Sequence, residues 1–435
     1  MERRSGVSIG LHPCCRMSTG SSVKLYSLSD WYKNIGQVKE GDGIVEVECA
    51  APERTALGVK LGARRGRLWG VAVVAAYLMS AGAANGQGRA DLRPAEQVFK
   101  NVQLLKGIPA DEFMATMGFF TASLGESCTF CHVDESGGNW GRYADDNGHK
   151  QRARQMIAMV GSINKSYFGG RRALTCYSCH RGTRTPQITP DLEVVYGSPN
   201  FPPPDRLLSG DQSESAVDRV LAKYTLAAGG NEHLAALKSF TAKGTYQGYA
   251  APKHPMELYA KAPAQLTMIL RGDADGDTVT TYDGREGWIK APVNERPQPV
   301  TDLTGGDLVG ARLDAILSFP AQIKDTLRQW RVGNPSTIED RDVQLLQGTV
   351  DGRYPVNFYF DAASGLLVRV VRYSDSPVGL GPTQVDYSDY REIAGVKIPF
   401  KRKVTWLDGR ANIVLNEVLP NAVIDASLFA RPTGR

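Results

Sequence analysis

Long apolar runs are nearly absent from this 435-residue chain. The one stretch that could interest a membrane, residues 68–79, is too short to cross a bilayer comfortably, because the hydrocarbon core takes about 20 residues of helix. An excess of one charge sign is missing too. The formal net charge of +5 falls largely in residues 1–86, which carry 11 Lys/Arg against 7 Asp/Glu, and residues 87–435 carry 40 against 39. A near-neutral body has no electrostatic footprint for nucleic acid, so nucleic acid is not among the expected partners. With 42% hydrophobic and 22% charged residues, the composition excludes a wholly disordered, collagen-like or coiled-coil protein. The length allows two or three domains of about 100–200 residues each.

What the chain does have begins with Arg64, Arg65 and Arg67 ahead of the apolar stretch, followed by small residues from Ser80 to Gly86. A positive start, a short apolar middle and a small-residue exit describe a secretory signal peptide over residues 63–86, cut after Ala83 or Gly86. An uncleaved anchor is the competing reading. No cysteine stands near the cut, which argues against a lipoprotein anchor. Residues 1–62 hold no periodic segment and read as a disordered leader or as an extension from a misassigned start. Cys14, Cys15 and Cys49 fall there and are set aside. The expected location is exported, periplasmic and membrane-associated.

Four cysteines remain, as Cys128-Thr129-Phe130-Cys131-His132 and Cys176-Tyr177-Ser178-Cys179-His180. Two Cys-x-x-Cys-His pentads in an exported chain read as attachment sites for two covalently bound c-type haems. Two thiols separated by two residues add across the two vinyl groups of one porphyrin, and the adjoining histidine becomes the proximal iron ligand. A four-cysteine zinc site usually brings its pairs closer than the 44 residues between these. A thioredoxin-like pair has no need of the histidine, and disulfides closed within Cys-x-x-Cys are poor staples.

Each iron then needs a sixth ligand. Residues 109–120 read as a helix with Asp111 and Glu112 in its first turn, where acids suit the helix dipole. Phe113, Met117 and Phe120 share one face of it, and Met117 stands 11 residues before Cys128. Residues 150–164 read as a second amphipathic helix carrying Met156, Met159 and Ile163, closed by Gly169 and Gly170. Met117 and Met159 are the candidate axial ligands, with Met114 and Met156 as substitutes. A thioether raises the haem potential and favours electron transfer over oxygen chemistry, which argues against a peroxidase with an open iron position. His149 would give a bis-histidine haem but stands in a Gly/Asp-rich stretch and reads as solvated. Arg171, Arg172 and Arg181 suit haem propionates or a solvated basic loop equally well.

The run Ala95-Glu96-Gln97-Val98-Phe99, the Met117 helix, Cys128–His132, Met159-Val160-Gly161-Ser162-Ile163-Asn164 and Thr175-Cys176-Tyr177-Ser178-Cys179-His180-Arg181-Gly182 together resemble the cytochrome c subunit of photosynthetic reaction centres, in a short dihaem form. The resemblance spans residues 92–190 and implies helices bearing axial methionines ahead of each pentad. It also implies a membrane-bound redox complex as partner. That family carries four haem segments where this chain has two, so a respiratory complex is as compatible as a reaction centre. Photosynthesis stays open at this point.

Residues 184–213 are rich in Pro, Thr, Ser and Asp and read as an extended linker. Residues 215–228 form an amphipathic helix with Val217, Val220, Leu221, Tyr224 and Leu226 near one face, and residues 232–237 a shorter one. From Ser239 to Pro420 apolar and polar residues alternate, with turn marks at Asp283-Gly284, Asp351-Gly352, Ser364-Gly365 and Asp408-Gly409. A further helix is expected near residues 313–319. This half resembles the lipoprotein-carrier-like fold, which implies a groove for a hydrophobic ligand. A module that docks the cytochrome to a partner is the alternative. No Ser-His-Asp arrangement, phosphate loop or carboxylate pair there supports a separate enzyme, and His233 and His254 read as structural or surface residues.

The expected fold class is α+β multidomain: a mainly α-helical dihaem cytochrome c domain at 90–190, a linker at 191–213, and a curved antiparallel β-sheet, an incomplete barrel with packed helices, at 214–432. The expected role is one-electron transfer rather than substrate conversion. The alternative is an exported hydrophobic-ligand carrier with an attached cytochrome module.

Overall fold

The computed structural model describes residues 93–133, 139–186, 188–189, 208, 210–249, 251–272, 276–292, 296–350 and 354–432. The expected leader, the expected signal peptide and the expected 191–213 linker, apart from residues 208 and 210–213, lie outside the described residues, as does the expected Asp351-Gly352 turn. Residues 87–435 form one compact unit.

The first segment is helical: α1 (Ala95–Val98), α2 (Ala110–Leu124), α3 (Cys128–Cys131), α4 (Gly148–Tyr167) and α5 (Cys176–His180). Asp111 and Glu112 open α2 next to the positive end of its dipole. The helix runs one turn past the expected residue 120, because nothing breaks it before Gly125, which takes the left-handed conformation at φ 65°. α4 likewise exceeds the expected 150–164. Asn147 caps it by accepting from the Lys150 amide at 2.9 Å, and the left-handed Gly169 and Gly170 follow it.

The second segment opens with α6 (Glu214–Ala228) and α7 (Gly230–Ala236). Val217, Leu221, Tyr224 and Ala228 are buried at helical spacing. Leu226 is a correction: it is 76% exposed, because nine positions from Val217 it falls half a turn away from the buried stripe. Strands β1 (Ser239–Gly248), β2 (Lys253–Lys261), β3 (Gln265–Leu270), β4 (Thr278–Tyr282), β5 (Gly287–Lys290) and β6 (Val300–Asp302) then lead into α8 (Gly305–Leu317). The expected 313–319 helix therefore starts two turns earlier, and Phe319 lies buried beyond its end. Strands β7 (Arg328–Ile338), β8 (Arg341–Val350), β9 (Tyr354–Asp361), β10 (Leu367–Ser376), β11 (Gly379–Ile393), β12 (Val396–Trp406) and β13 (Gly409–Pro420) complete the sheet.

The strands lie in the order β6-β5-β4-β3-β2-β1-β13-β12-β11-β10-β9-β8-β7, every neighbouring pair antiparallel. Two meanders are joined where β1 pairs β13, Phe240 opposite Pro420. β6 and β7 stand at opposite ends, so the sheet is not closed into a barrel. Period-two alternation fills one core: Phe240 and Ala242, Met256, Leu258 and Ala260, Val356, Phe358 and Phe360, and Val396, Ile398 and Phe400 all pack with α6, α7 and α8 residues.

α2 lies against β6, β10 and β11. Asp111, 6% exposed, accepts from both the amide and the hydroxyl of Thr304 at 2.6 Å. Thr304 is the residue that opens α8, so one carboxylate ties the helical segment to the sheet's covering helix. Burial raises the Asp111 carboxyl above its ordinary 3.8, outweighing the two hydrogen bonds from Thr304. An acid raised in the folded state keeps its proton longer than the unfolded chain does. Stability therefore falls as pH climbs from the ordinary value through the folded one. Asp111→Asn keeps an acceptor for Thr304 and cannot ionise. In urea unfolding across this range its stability should gain on the wild type as pH rises, and parallel curves would refute the assignment.

Candidate haem-attachment site

The first pentad forms the single turn α3, with the His132 amide closing on the Cys128 carbonyl at 2.9 Å. Cys128 is exposed and Cys131 half-buried, each a free thiol. Burial pushes the Cys131 thiol up and the His132 imidazole down, the nearby Lys150 adding to the latter. Both groups are thus held in neutral form. His132 Nδ1 lies 2.9 Å from the Tyr143 carbonyl. A carbonyl can only accept, so Nδ1 carries the proton and Nε2 keeps its lone pair for a metal. Lys150 Nζ donates to the same carbonyl at 2.6 Å, and Asn147 donates to the Cys131 carbonyl at 2.9 Å.

An aromatic series joins this site to α2. Phe113 stacks on Phe99 at 5.0 Å, Phe99 meets Trp140 at 6.4 Å, Trp140 stacks on Tyr143 at 5.1 Å, and Tyr143 lies 5.0 Å from His132. The helix face bearing Phe113 and Met117 is therefore linked to the first pentad's histidine through packed rings.

The second pentad repeats the device on α5. Thr175 and Ser178 form a reciprocal capping box, and the left-handed Arg181 ends the turn at φ 51°. His180 Nδ1 lies 3.1 Å from the Thr183 carbonyl, which again leaves Nε2 as the ligand atom. Burial raises the Cys176 thiol. The approach to this turn is pinned by Asn164, the one buried residue of α4. Its side chain donates to the Leu174 carbonyl at 2.8 Å and accepts from the Ala173 and Leu174 amides at 3.2 and 2.9 Å.

The two pentads are neighbours. The Gly182 amide donates to the Ser123 carbonyl at 2.9 Å, and a Cβ at Gly125 would strike the Gly182 carbonyl. Arg184 pairs with Glu126 at 2.6 Å and lies 4.5 Å over the Phe130 ring inside the first pentad.

These features fit covalent haem: paired thiols one turn apart, a proximal imidazole in the correct tautomer, and apolar helix faces beside them. Met114, Met117 and Met156 are half-buried and Met159 is 45% exposed on α4. Among the described residues no group of three or more His, Cys, Asp or Glu is placed to hold a metal ion by itself.

Residues 75–192 match the family model of the photosynthetic reaction centre cytochrome C subunit. The haem segment of this chain resembles that family. The subunit of Thermochromatium tepidum is 37% identical over 97 residues, which cover 21% of this chain and 23% of the relative. That of Roseobacter denitrificans is 34% identical over 116 residues, covering 24% and 30%. The chain thus spans less than a third of the curated relatives it matches. Among solved structures, a LolA superfamily protein from Nitrosomonas europaea aligns with 49% of this chain and 97% of its own at 13% identity and a TM-score of 0.36. A lipoprotein-sorting protein domain from Vibrio parahaemolyticus aligns at 10% identity, with the same TM-score, over 49% and 94%.

Beside the reaction-centre pattern, three expectations change. Arg172 is not free for a propionate: its guanidinium donates to the Asp375 carboxylate and the Ser376 carbonyl, 203 and 204 positions away. Arg171 bends back to the Phe168 carbonyl at 3.3 Å, while Arg181 stays exposed. His149 belongs to the first turn of α4 rather than to a loop, its ring 4.1 Å from Phe130. Tyr143, Thr183 and Asn164 were not singled out by sequence. The first two act through backbone carbonyls, which any residue supplies, whereas Asn164 ended the Met159-to-Asn164 run and was legible as part of it.

Asn164→Ala removes the acceptor of the half-buried Leu174 amide and the donor to the Leu174 carbonyl, at a cost of about 0.5–1.5 kcal/mol for each bond. Urea unfolding should report that loss, and mass spectrometry should find haem attachment reduced at Cys176 and Cys179 but not at Cys128 and Cys131.

Proposed function

We propose that this chain is an exported dihaem c-type cytochrome that carries single electrons between membrane-associated redox partners. One observation carries the reading: in each pentad a backbone carbonyl fixes the histidine's Nδ1 proton, so both imidazoles offer Nε2 to an iron. Bound haem supplies a one-electron iron centre, and the protein holds it. Cys128 and Cys131 anchor the first group, Cys176 and Cys179 the second, with His132 and His180 as proximal ligands. Met117 and Met159 complete the two irons. The likeness to reaction-centre cytochrome subunits supports electron transfer as the activity. It also favours a membrane-bound partner, photosynthetic or respiratory.

A second reading is favoured by a recess on the helix-covered face of the sheet, lined by Tyr224, Phe240, Leu317, Leu367, Tyr387 and Tyr390 among others. The recess holds only about 20 Å³ and is lined by Lys397 and Arg402 as well, so a hydrophobic ligand would enter only by parting the covering segments from the sheet, and the β module would then be a carrier for it. Saturable quenching of a fluorescent fatty acid by the full chain supports this reading, and its absence refutes it.

Pyridine haemochrome assay of the exported protein should return two haems per chain. Cys176→Ala with Cys179→Ala should leave one. Met117→Ala and Met159→Ala should each weaken the long-wavelength absorption of methionine-ligated ferric haem, since each removes a thioether from an iron. A haem-free chain, or one haem in the wild type, overturns the proposal.

A further inference from the structure

The hairpin between β10 and β11 reaches both haem segments. Its tip is tight: Ser376 stands opposite Gly379, with the Ser376 hydroxyl donating to the Gly379 carbonyl at 2.7 Å and accepting from the Gly379 amide at 3.2 Å. On one side the Arg172 guanidinium grips the Asp375 carboxylate and the Ser376 carbonyl, four residues before the second pentad. On the other side the Phe119 ring, 6% exposed, sits directly over Gly379, where a Cβ would collide with it. Phe119 belongs to α2, the helix that carries Met117. Beside it, a Cβ at Gly118 is already 3.1 Å from the Asp408 carboxylate of the β12–β13 turn. Residues 118 and 119 thus face the sheet, while Phe113, Met117 and Phe120 share another face of the helix.

The helical segment has little else to hold this helix. Among described residues 93–186 the buried hydrophobic side chains are Ala95, Ala110 and Phe119. Only the last is large, and its partner is the hairpin.

We infer that the β10–β11 hairpin tip is the positioning element of the haem segment: Gly379 and Phe119 fix where α2 presents Met117, and Arg172 ties the second pentad to the same tip. This rests on Met117 being an iron ligand. The β module then acts on the haem without touching it, by setting the position of the axial thioether. Glycine is required at 379 for space rather than for backbone conformation, since its φ is not among the positive ones.

The test approaches the contact from the sheet. Gly379→Ala changes no residue of the haem segment, so any effect on a haem must pass through Phe119 or Arg172, and the Phe119→Leu rescue isolates Phe119. The holoprotein should lose the long-wavelength methionine–iron absorption in one haem. The midpoint potential of that haem should fall by at least a tenfold change in its electron-binding equilibrium, which is 59 mV for one electron. Gly379→Ala combined with Phe119→Leu makes room for the new methyl group and should restore both signals, which a general loss of stability would not do. If Gly379→Ala alone does not fold, Phe119→Ala reads the same contact from the other partner and should weaken the same band. A folded Gly379→Ala or Phe119→Ala protein with both potentials and the band unchanged overturns the inference. Met117→Ala separates the two readings. If it keeps the band, the ligand assignment fails. If it loses the band while the hairpin variants keep it, the ligand assignment stands and the positioning role fails.

Discussion

The haem segment cannot hold itself together with its own side chains. Its helices present faces rather than enclose them: α4, 20 residues long, buries only Asn164, and α2 buries one large apolar side chain, Phe119. A segment of this size with so small an apolar interior falls well short of offsetting the conformational entropy of ordering it. Stability must come from surfaces supplied by others. One is the edge and hairpins of the β-sheet against one face of α2, and on the proposed function the other would be a covalently held macrocycle. Hydrogen bonds such as those of Asp111 and Arg172 fix the register between segment and sheet, while Phe119 supplies the apolar part of the contact.

The same economy governs the pentads. A four- or five-residue helix has almost no intrinsic stability, so each histidine must be oriented by something beyond its own turn. At both sites that is a backbone carbonyl on Nδ1, from Tyr143 or Thr183. The carbonyl sets the tautomer as well as the ring direction, and at the first site burial and Lys150 disfavour a second proton. Protonation of Nε2 would remove the lone pair a metal needs. Lys150 reinforces the arrangement by donating to the same Tyr143 carbonyl, which joins the start of α4 to the first pentad.

Local periodicity made most of this architecture legible. The pentads, the apolar faces of α2 and α4, and the period-two strands each follow from residues within a dozen positions of one another, and the observed elements contain them. Turn pairs such as Asp283-Gly284 and Ser364-Gly365 lie between the strands they were expected to join. The misreadings are of another kind. Leu226 looked like part of the α6 stripe because it is apolar, although its helical angle places it opposite. Arg172 read equally well as a propionate partner or as part of a solvated loop because it neighbours a pentad, whereas its partners lie 203 and 204 positions away. Asp111 read as a helix-dipole residue, which it is, but its contact with Thr304 across 193 positions had no local signal. Pairings set by tertiary packing leave no periodic trace in the chain.

The choice of hairpin for this contact has a physical logic. β6 and β7 stand at the open edges, each laddered to one neighbouring strand, with a bridge from Val332 to Asp211 on the outer side of β7, and such strands are where a sheet opens first. β10 and β11 lie inside the sheet, and their base is held on both sides, by β9 as far as Val371 and by β12 from Gln384, while the tip beyond is held by the β10–β11 ladder itself. The covering helix braces the same strands, with the Arg372 side chain of β10 donating to the Gly306 carbonyl of α8 at 3.3 Å. An axial ligand displaced by a fraction of an ångström changes its bond to iron, so the surface that positions it must itself be stiff. A tip rooted in interior strands meets that requirement, and a tip on β6 or β7 would pass the edge's fluctuations on to the helix that presents Met117.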